Sequence, residues 1–332
     1  MILWILLYLD CLDVYKRQVL YRHKLTVGRV QTPTLAMLVE REQRIAEFKK
    51  EPYFLVHLLC GGLDAVTERI REKENAEEIM RACQNRQAFV VSVIKEEKAV
   101  HPPKLYDLTT LQREANRLFG FTAQQTLDYT QALYEKKLVT YPRTDSQFLT
   151  EDMEQTAREL SQVVLQKIPC MEEITYEPEI GRVLNSKKVS DHHAILPTME
   201  LSKAELSKVP GGELQILTMI AVRLVCATGE SHRYEAVRAE LTCEGNTFTA
   251  VGRSILTGGW KGYEERFKKY SKADRDKEEK EELPLPSLSE GMCFDQVETK
   301  VSQHFTVPPK HFSDVIFCER KEWIGIEERS SA

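Results

Sequence analysis

The stretch Lys136–Phe148, KKLVTYPRTDSQF, runs from an apolar pair, Leu138 and Val139, into a tyrosine, a proline, an arginine and small polar residues. A tyrosine hydroxyl, with a pKa near ~10, is a weak nucleophile unless a neighbour assists it. Arg143 stands two residues from Tyr141. In an extended chain the two positions share a face, and a planar guanidinium matches a pair of phosphoryl oxygens. Thr144 and Ser146 could add hydroxyl donors to the same phosphate. These residue types suit attack of a tyrosine on a phosphodiester. They also suit a strand-end tyrosine beside a surface arginine, and the local sequence alone favours that plainer reading.

Two further constellations bear on the choice. SDHHAILPT, Ser190–Thr198, places His192 and His193 side by side before an apolar run. Such a pair can shuttle protons, bind a metal or simply pack as hydrogen-bonded polar residues; no further ligands follow at metal-binding spacing. TVGRVQTPT, Thr26–Thr34, sets Thr26, Gly28, Arg29, Gln31 and Thr32 at a helix start. There the free N–H groups and the helix dipole favour an anion, and arginine and glutamine can grip a phosphodiester. Neither G-x-x-x-x-G-K-[ST] nor G-x-G-x-x-G occurs, so no ATP site is expected.

Apolar spacing predicts the elements that must hold these residues. Thr32 is the expected N-cap and Pro33 the first residue of a helix. Its apolar face carries Leu35, Leu38, Val39, Ile45 and Ala46 and is broken by Glu42. Residues 53–71 and 87–100 read as strands, with a CGG turn at Cys60–Gly62 and a short helix at Glu74–Gln84 between them. HPPK, His101–Lys104, is a stiff linker. Asp107 caps a helix that Gly120 closes, and Thr122 opens another through a capping box with Gln125. Leu133 and Leu138 extend its apolar side, and the two helices form a helix-turn-helix-like unit. A third helix starts at Thr150 and a fourth covers Leu214–Ala227. Strands return at Tyr234–Cys243 and Thr247–Val251. TGGWKGY then reads as a glycine-rich exit, KKYSKADRDKEEKEE as a solvated linker, and LPSLSEGMCFDQVETKV as a short β segment. Asp274 and Asp276 make a D-x-D pair, but inside that charge run they read as solvated. The strands thus fall in two blocks around a helical block. The fold class is α+β and multidomain, a β-rich domain interrupted by an inserted helical one.

The chain has 332 residues, 42% hydrophobic and 29% charged, as in soluble globular proteins. Its net charge of −5 argues against a uniformly basic DNA coat but leaves room for a local basic groove. None of the eight cysteines forms a C-x-x-C pair, so neither a zinc site nor a disulfide framework is expected and a reducing cytoplasm fits. The apolar run Met1–Leu9 falls short of the ~20 residues that a membrane helix needs and lacks signal-peptide features. CLDVYKRQ resembles translated adaptor sequence, so residues 1–18 are read as non-native.

Taken in order, VGRVQTPTLAMLVERE, LVTYPRTDS and DHHAILPT resemble the type IA DNA topoisomerases, most closely the bacterial topoisomerase III branch. PPKLYDLTTLQREANRLFGFTAQQTLDYTQALYEKKLVTYPRTDS lengthens the match, VPPKHF fits near the end, and the resemblance covers roughly residues 19–312. It implies that Tyr141 attacks a backbone phosphate of single-stranded or underwound DNA. A 5′-phosphotyrosine and a free 3′-OH result, a second strand passes, and the break reseals without ATP. Arg143 matches the arginine that stabilises the scissile phosphate, and His192 the histidine that bonds the phosphate or assists proton transfer. Thr26, Gly28, Arg29, Gln31, Thr32, Thr144 and Ser146 would contact DNA. The implied fold is part of a torus whose β-rich arch carries a helical domain with the tyrosine.

The resemblance divides the chain into residues 19–50, part of a strand-binding helical domain; 51–104, half of the arch; and 105–229, the inserted helical domain. Residues 230–264 are the second half of the arch, 265–282 a charged linker, and 283–332 a partial return to the strand-binding domain, unlike the family after about 312. Nothing before Val19 resembles the family's Toprim domain, which holds Mg²⁺. The expectation is therefore an impaired fragment that binds no metal itself, monomeric, off the membrane, and at the bacterial nucleoid in the cytoplasm. The competing function is a non-catalytic helix-turn-helix-type DNA-binding module. It accounts for the helix pair but not for Tyr141, Arg143 and His192 occurring together.

Overall fold

The computed structural model describes residues 31–172, 174–271 and 285–312, without the side chains of 31 and 32. The chain divides into two compact units, Met1–Glu51 with Thr306–Ala332, and Pro52–Phe305.

In the first unit, helix α1 spans Gln31–Ala46. Thr32 therefore lies inside the helix rather than capping it. Pro33 remains tolerable because the first-turn N–H groups have no intrahelical partner. Glu42, the break in the apolar face, accepts from His311 at 2.8 Å. Arg41 lies over the Phe312 ring at 4.5 Å and donates to the Lys310 carbonyl at 3.0 Å. The VPPKHF motif is thus fastened to this helix. Leu35 and Val39, expected on a packing face, are exposed.

The second unit is built on a seven-stranded sheet. Its strands are β1 (Pro52–Cys60), β2 (Leu63–Val66), β3 (Ala88–Val100), β4 (His232–Cys243), β5 (Asn246–Thr257), β6 (Cys293–Phe294) and β7 (Glu298–Phe305), in the order β6-β3-β4-β5-β2-β1-β7. Helix α2 (Lys73–Cys83) packs on it. Alternate residues of β1, Phe54, Val56, Leu58 and Cys60, are buried, the period-two pattern of a half-buried strand. Gly61 and Gly62 turn β1 into β2 at φ values of 54° and 81°, which glycine adopts without Cβ strain. The decisive pairing is between β3 and β4, antiparallel from Phe89 opposite Thr242 to Val100 opposite His232. Residues 101–231 are inserted between these neighbouring strands, so the expected interruption of the sheet is present.

Three boundaries differ from the sequence reading. β5 continues to Thr257. The glycine-rich exit and the start of the charged linker form helix α7, Gly259–Ser271. Burial of Trp260 and Phe267 against the insert, with the Trp260 indole N–H donating to the Val100 carbonyl at 2.9 Å, outweighs the poor helix propensity of glycine. β6 pairs with β3 and β7 with β1, so residues 285–305, expected in the strand-binding domain, lie in the sheet unit. Asp274 and Asp276 lie outside the described residues.

The insert holds α3 (Leu108–Phe119), α4 (Ala123–Glu135), α5 (Glu154–Lys167) and α6 (Gly211–Ala227). Asp107 caps α3, Gly120 ends it in the left-handed region at φ 72°, and Thr122 and Gln125 form the capping box of α4. The helix from Thr150 begins as a 3₁₀ turn, Glu151–Met153. Leu138 is buried as expected but lies beyond the end of α4. α6 is almost wholly buried and runs through the core of the insert. There the Cys226 thiol is pushed up to about 12 by burial, an inert core residue.

Of the two buried charged residues of α6, Glu213 and Arg223, the second meets α3. It donates to Glu114 of α3 and, at 2.8 Å, to the Tyr106 hydroxyl, and it lies 4.2 Å from the Tyr106 ring centroid. Tyr106 donates in turn to Glu114 at 2.5 Å. Burial alone would raise the Glu114 carboxyl. The Arg223 charge and the bonds from Tyr106 and Arg223 outweigh it and hold the pKa below the ordinary 4.5. Removing one partner leaves an uncompensated buried charge, so Arg223→Met is expected to lower stability by about 3–5 kcal/mol in urea denaturation at pH 7. A depressed carboxyl stabilises above its unfolded pKa and loses that contribution as pH falls through the folded value. The gap between wild type and variant should therefore narrow below about pH 4.5.

Candidate active site around Tyr141

At the end of α4, Lys137 adopts φ 60° and the Leu138 N–H bonds the Leu133 carbonyl at 2.9 Å, which swings the chain into an extended run. That run is laced to the second motif. Thr140 N–H donates to the Leu196 carbonyl at 2.9 Å, Thr198 N–H to Leu138 at 3.0 Å, and Ala194 N–H to Phe148 at 3.0 Å. The Thr140 hydroxyl accepts from the Leu196 N–H at 2.9 Å. On the other side, Ile195 N–H bonds the Tyr106 carbonyl at 2.8 Å and Leu108 N–H the Thr144 carbonyl at 3.1 Å. Asp107 caps α3 with one carboxylate oxygen and accepts from Gln147 at 3.0 Å with the other.

Burial alternates along the run. Pro142, Thr144 and Ser146 are buried, whereas Tyr141 is half-buried and Arg143 and Asp145 are exposed. Tyr141 and Arg143 thus share the open face, as period-two geometry requires. The ring centroids of Tyr141 and His192 are 4.4 Å apart at 41°, and Tyr134 meets Tyr141 edge-on at 5.6 Å. Arg143 is exposed and has no carboxylate at ion-pair distance among the described residues.

The histidine pair divides its work. His193 Nδ1 lies 2.7 Å from the Ala194 carbonyl. A carbonyl only accepts, so Nδ1 carries the proton there and His193 is a structural residue. His192 is exposed beside Tyr141. Its position is fixed through the backbone, because the Thr144 hydroxyl donates to its carbonyl at 2.9 Å.

Thr144 and Ser146, expected to bind DNA, face inward instead. Thr144 Oγ1 also accepts from the Ser146 N–H at 3.1 Å, and Ser146 Oγ donates to the Lys188 carbonyl at 2.9 Å. Burial and main-chain partners make both into loop supports. Thr26, Gly28 and Arg29 lie outside the described residues. Gln31 and Thr32 lie in α1 of the other unit, and their side chains are likewise not described. Tyr134 was not singled out by sequence, because the chain turns at Lys137 and no helical or strand period links it to Tyr141. No group of three or more His, Cys, Asp or Glu residues able to hold a metal occurs among the described residues.

A family model described as DNA topoisomerase matches residues 12–319. The chain belongs to the type IA DNA topoisomerase family. It is 35% identical over 314 residues to DNA topoisomerase 3 of Bacillus licheniformis, which takes in 89% of this chain and 41% of that protein. DNA topoisomerase 3 of Bacillus subtilis is 33% identical over 315 residues, and that of Staphylococcus aureus (strain NCTC 8325 / PS 47) 34% over 304. The chain therefore spans about two fifths of the length of these topoisomerases. The fold is similar to full-length topoisomerase I from Thermotoga maritima, with a TM-score of 0.68 and 22% identity over 92% of this chain and 49% of that one.

In this topoisomerase chain, Thr144→Val would remove the bond to His192 and leave the buried Ser146 N–H without its acceptor. We expect a loss of roughly 1–3 kcal/mol in denaturant unfolding, with Thr144→Ser close to wild type.

Proposed function

We propose that Tyr141 is the nucleophile of ATP-independent DNA strand cleavage and religation. The single observation that carries this is the Tyr141–His192 ring contact on the same open face as Arg143. The Tyr141 oxygen attacks the phosphorus of a single-stranded segment, and the bond from phosphorus to the 3′ oxygen breaks. The 5′ phosphate becomes a tyrosine ester and the 3′ oxygen leaves as a hydroxyl, the proton coming from Tyr141 by way of His192 or solvent. Arg143 stabilises the charge that develops on the phosphoryl oxygens. Attack by the 3′-OH reverses every step. One ester replaces another, so no ATP is consumed, and a second strand can pass while the break is open.

In this reading Thr144 and Ser146 hold the loop, and Thr26, Gly28, Arg29, Gln31 and Thr32 contact DNA. The substrate is single-stranded or underwound DNA, and the protein acts as a monomer at the bacterial nucleoid. No helix among the described residues is long and apolar enough to cross a membrane. Mg²⁺, which the family resemblance implies, does not fit the described residues, which offer no cluster of ligands. A non-catalytic helix-turn-helix reading gives no reason for His192 to meet Tyr141.

The test incubates the chain with end-labelled single-stranded DNA and Mg²⁺, alone and with a Toprim domain in trans, and resolves it on a denaturing gel. A covalent adduct is expected with the added domain, absent in Tyr141→Phe and reduced about 10²–10³-fold in Arg143→Ala. An adduct that persists in Tyr141→Phe would sink the assignment.

A further inference from the structure

The loop that bears Tyr141 ends, seven residues on, in a second feature. Phe148 carries two ammonium groups on its ring, Lys188 Nζ at 4.9 Å and Lys104 Nζ at 5.5 Å from the centroid. The two charges therefore lie within about a Debye length of each other (~10 Å at 0.1 M salt). Neither lysine has a carboxylate at ion-pair distance among the described residues. Some lysines of this unit are paired, among them Lys136 with Glu213 at 2.5 Å and Lys268 with Glu264 at 3.1 Å, so what distinguishes Lys104 and Lys188 is their convergence on one ring. The ring face offsets part of the repulsion between two like charges; an anion reaching both would remove the rest.

The surroundings fit an extended anion. Lys104 and Phe148 line an open cleft of about 270 Å³, together with His101, Gln147 and Arg182. Gln147 is engaged by Asp107, and Arg182 by Glu179 at 2.6 Å and the Gly229 carbonyl at 2.7 Å, so the unpaired cation in the cleft lining is Lys104, with Lys188 reaching the same Phe148 ring from outside that lining. The Lys188 backbone is tied to the Tyr141 loop by Ser146, and Ser190 is tied to it by Asp145 at 3.1 Å. Seven extended residues span at most roughly 25 Å, so one strand can reach both places. We propose that Lys104, Phe148 and Lys188 form a second phosphate-holding site, occupied by a backbone phosphate of the same DNA strand that Tyr141 attacks. This rests on the reading of Tyr141 given above. The cluster contributes charge and no base-edge pattern, so it holds the strand without regard to sequence.

The full chain is titrated with fluorescent oligothymidylate between 50 and 200 mM salt and followed by anisotropy. Lys104→Gln with Lys188→Gln should weaken binding and flatten the slope of log K against log salt by about 0.7–1.4, for one or two single-strand phosphates. Lys104→Arg with Lys188→Arg should keep the slope, and matched melting curves show that each variant folds. An unchanged affinity and slope in the glutamine variant would overturn the proposal, whatever the adduct gel shows. The expected slope change without a Tyr141-dependent adduct would uphold the strand site and sink the cleavage reading. If the glutamine pair abolishes inorganic phosphate binding, read by ³¹P line broadening, but leaves the oligonucleotide slope intact, the ligand is a free anion and the strand proposal falls. Failure of wild type to bind the oligonucleotide overturns it as well.

Discussion

The candidate site depends on main-chain lacing between two extended runs distant in sequence. Residues 138–148 and 194–198 exchange backbone hydrogen bonds, and each also bonds the Tyr106–Leu108 segment. None of the three runs is a long strand, and none would hold its shape alone. An unpaired buried amide is costly, so the three segments fix one another's register. Once register is fixed, period-two alternation places Tyr141 and Arg143 outward and Thr144 and Ser146 inward. The chemistry of the loop follows from that parity, because a slip of one residue would bury the arginine and expose the threonine.

The same parity explains what local sequence could and could not reveal. Tyr141 and Arg143 were readable as a pair because two residues of extended chain suffice to align them. Thr144 and Ser146 read as phosphate donors because a hydroxyl beside an arginine looks like one, whereas the tertiary contacts that bond them to the carbonyls of His192 and Lys188 leave no local signal. Which of His192 and His193 faces Tyr141 is likewise a matter of packing, decided where His193 turns to the Ala194 carbonyl. The helix caps at Asp107, Gly120 and Thr122 were legible because capping is local chemistry within four residues. α7 was not, since its glycines point to a loop while its stability comes from Trp260 and Phe267 packing on the insert. The insertion itself was legible from the change of apolar period, and the β3–β4 register supplies its physical form.

A buried ion pair is weak evidence for stability, since well-packed apolar residues of similar volume often do as well or better. Arg223, Glu114 and Tyr106 nevertheless occupy the core of the insert, and their geometry suggests what they add. An apolar trio fills volume without preferring a direction, whereas a guanidinium bonded to both a carboxylate and a phenol fixes the rotation of the Tyr106 ring. Tyr106 carries that constraint to the site, because its own carbonyl accepts from Ile195, three residues beyond His192. Its neighbour Asp107 holds both the first turn of α3 and Gln147 of the tyrosine loop. The polar trio is thus positioned to transmit the orientation of α3 and α6 into the run that presents Tyr141. An apolar replacement that restored stability would still release this link, so folding and site geometry are separable properties of the same three side chains.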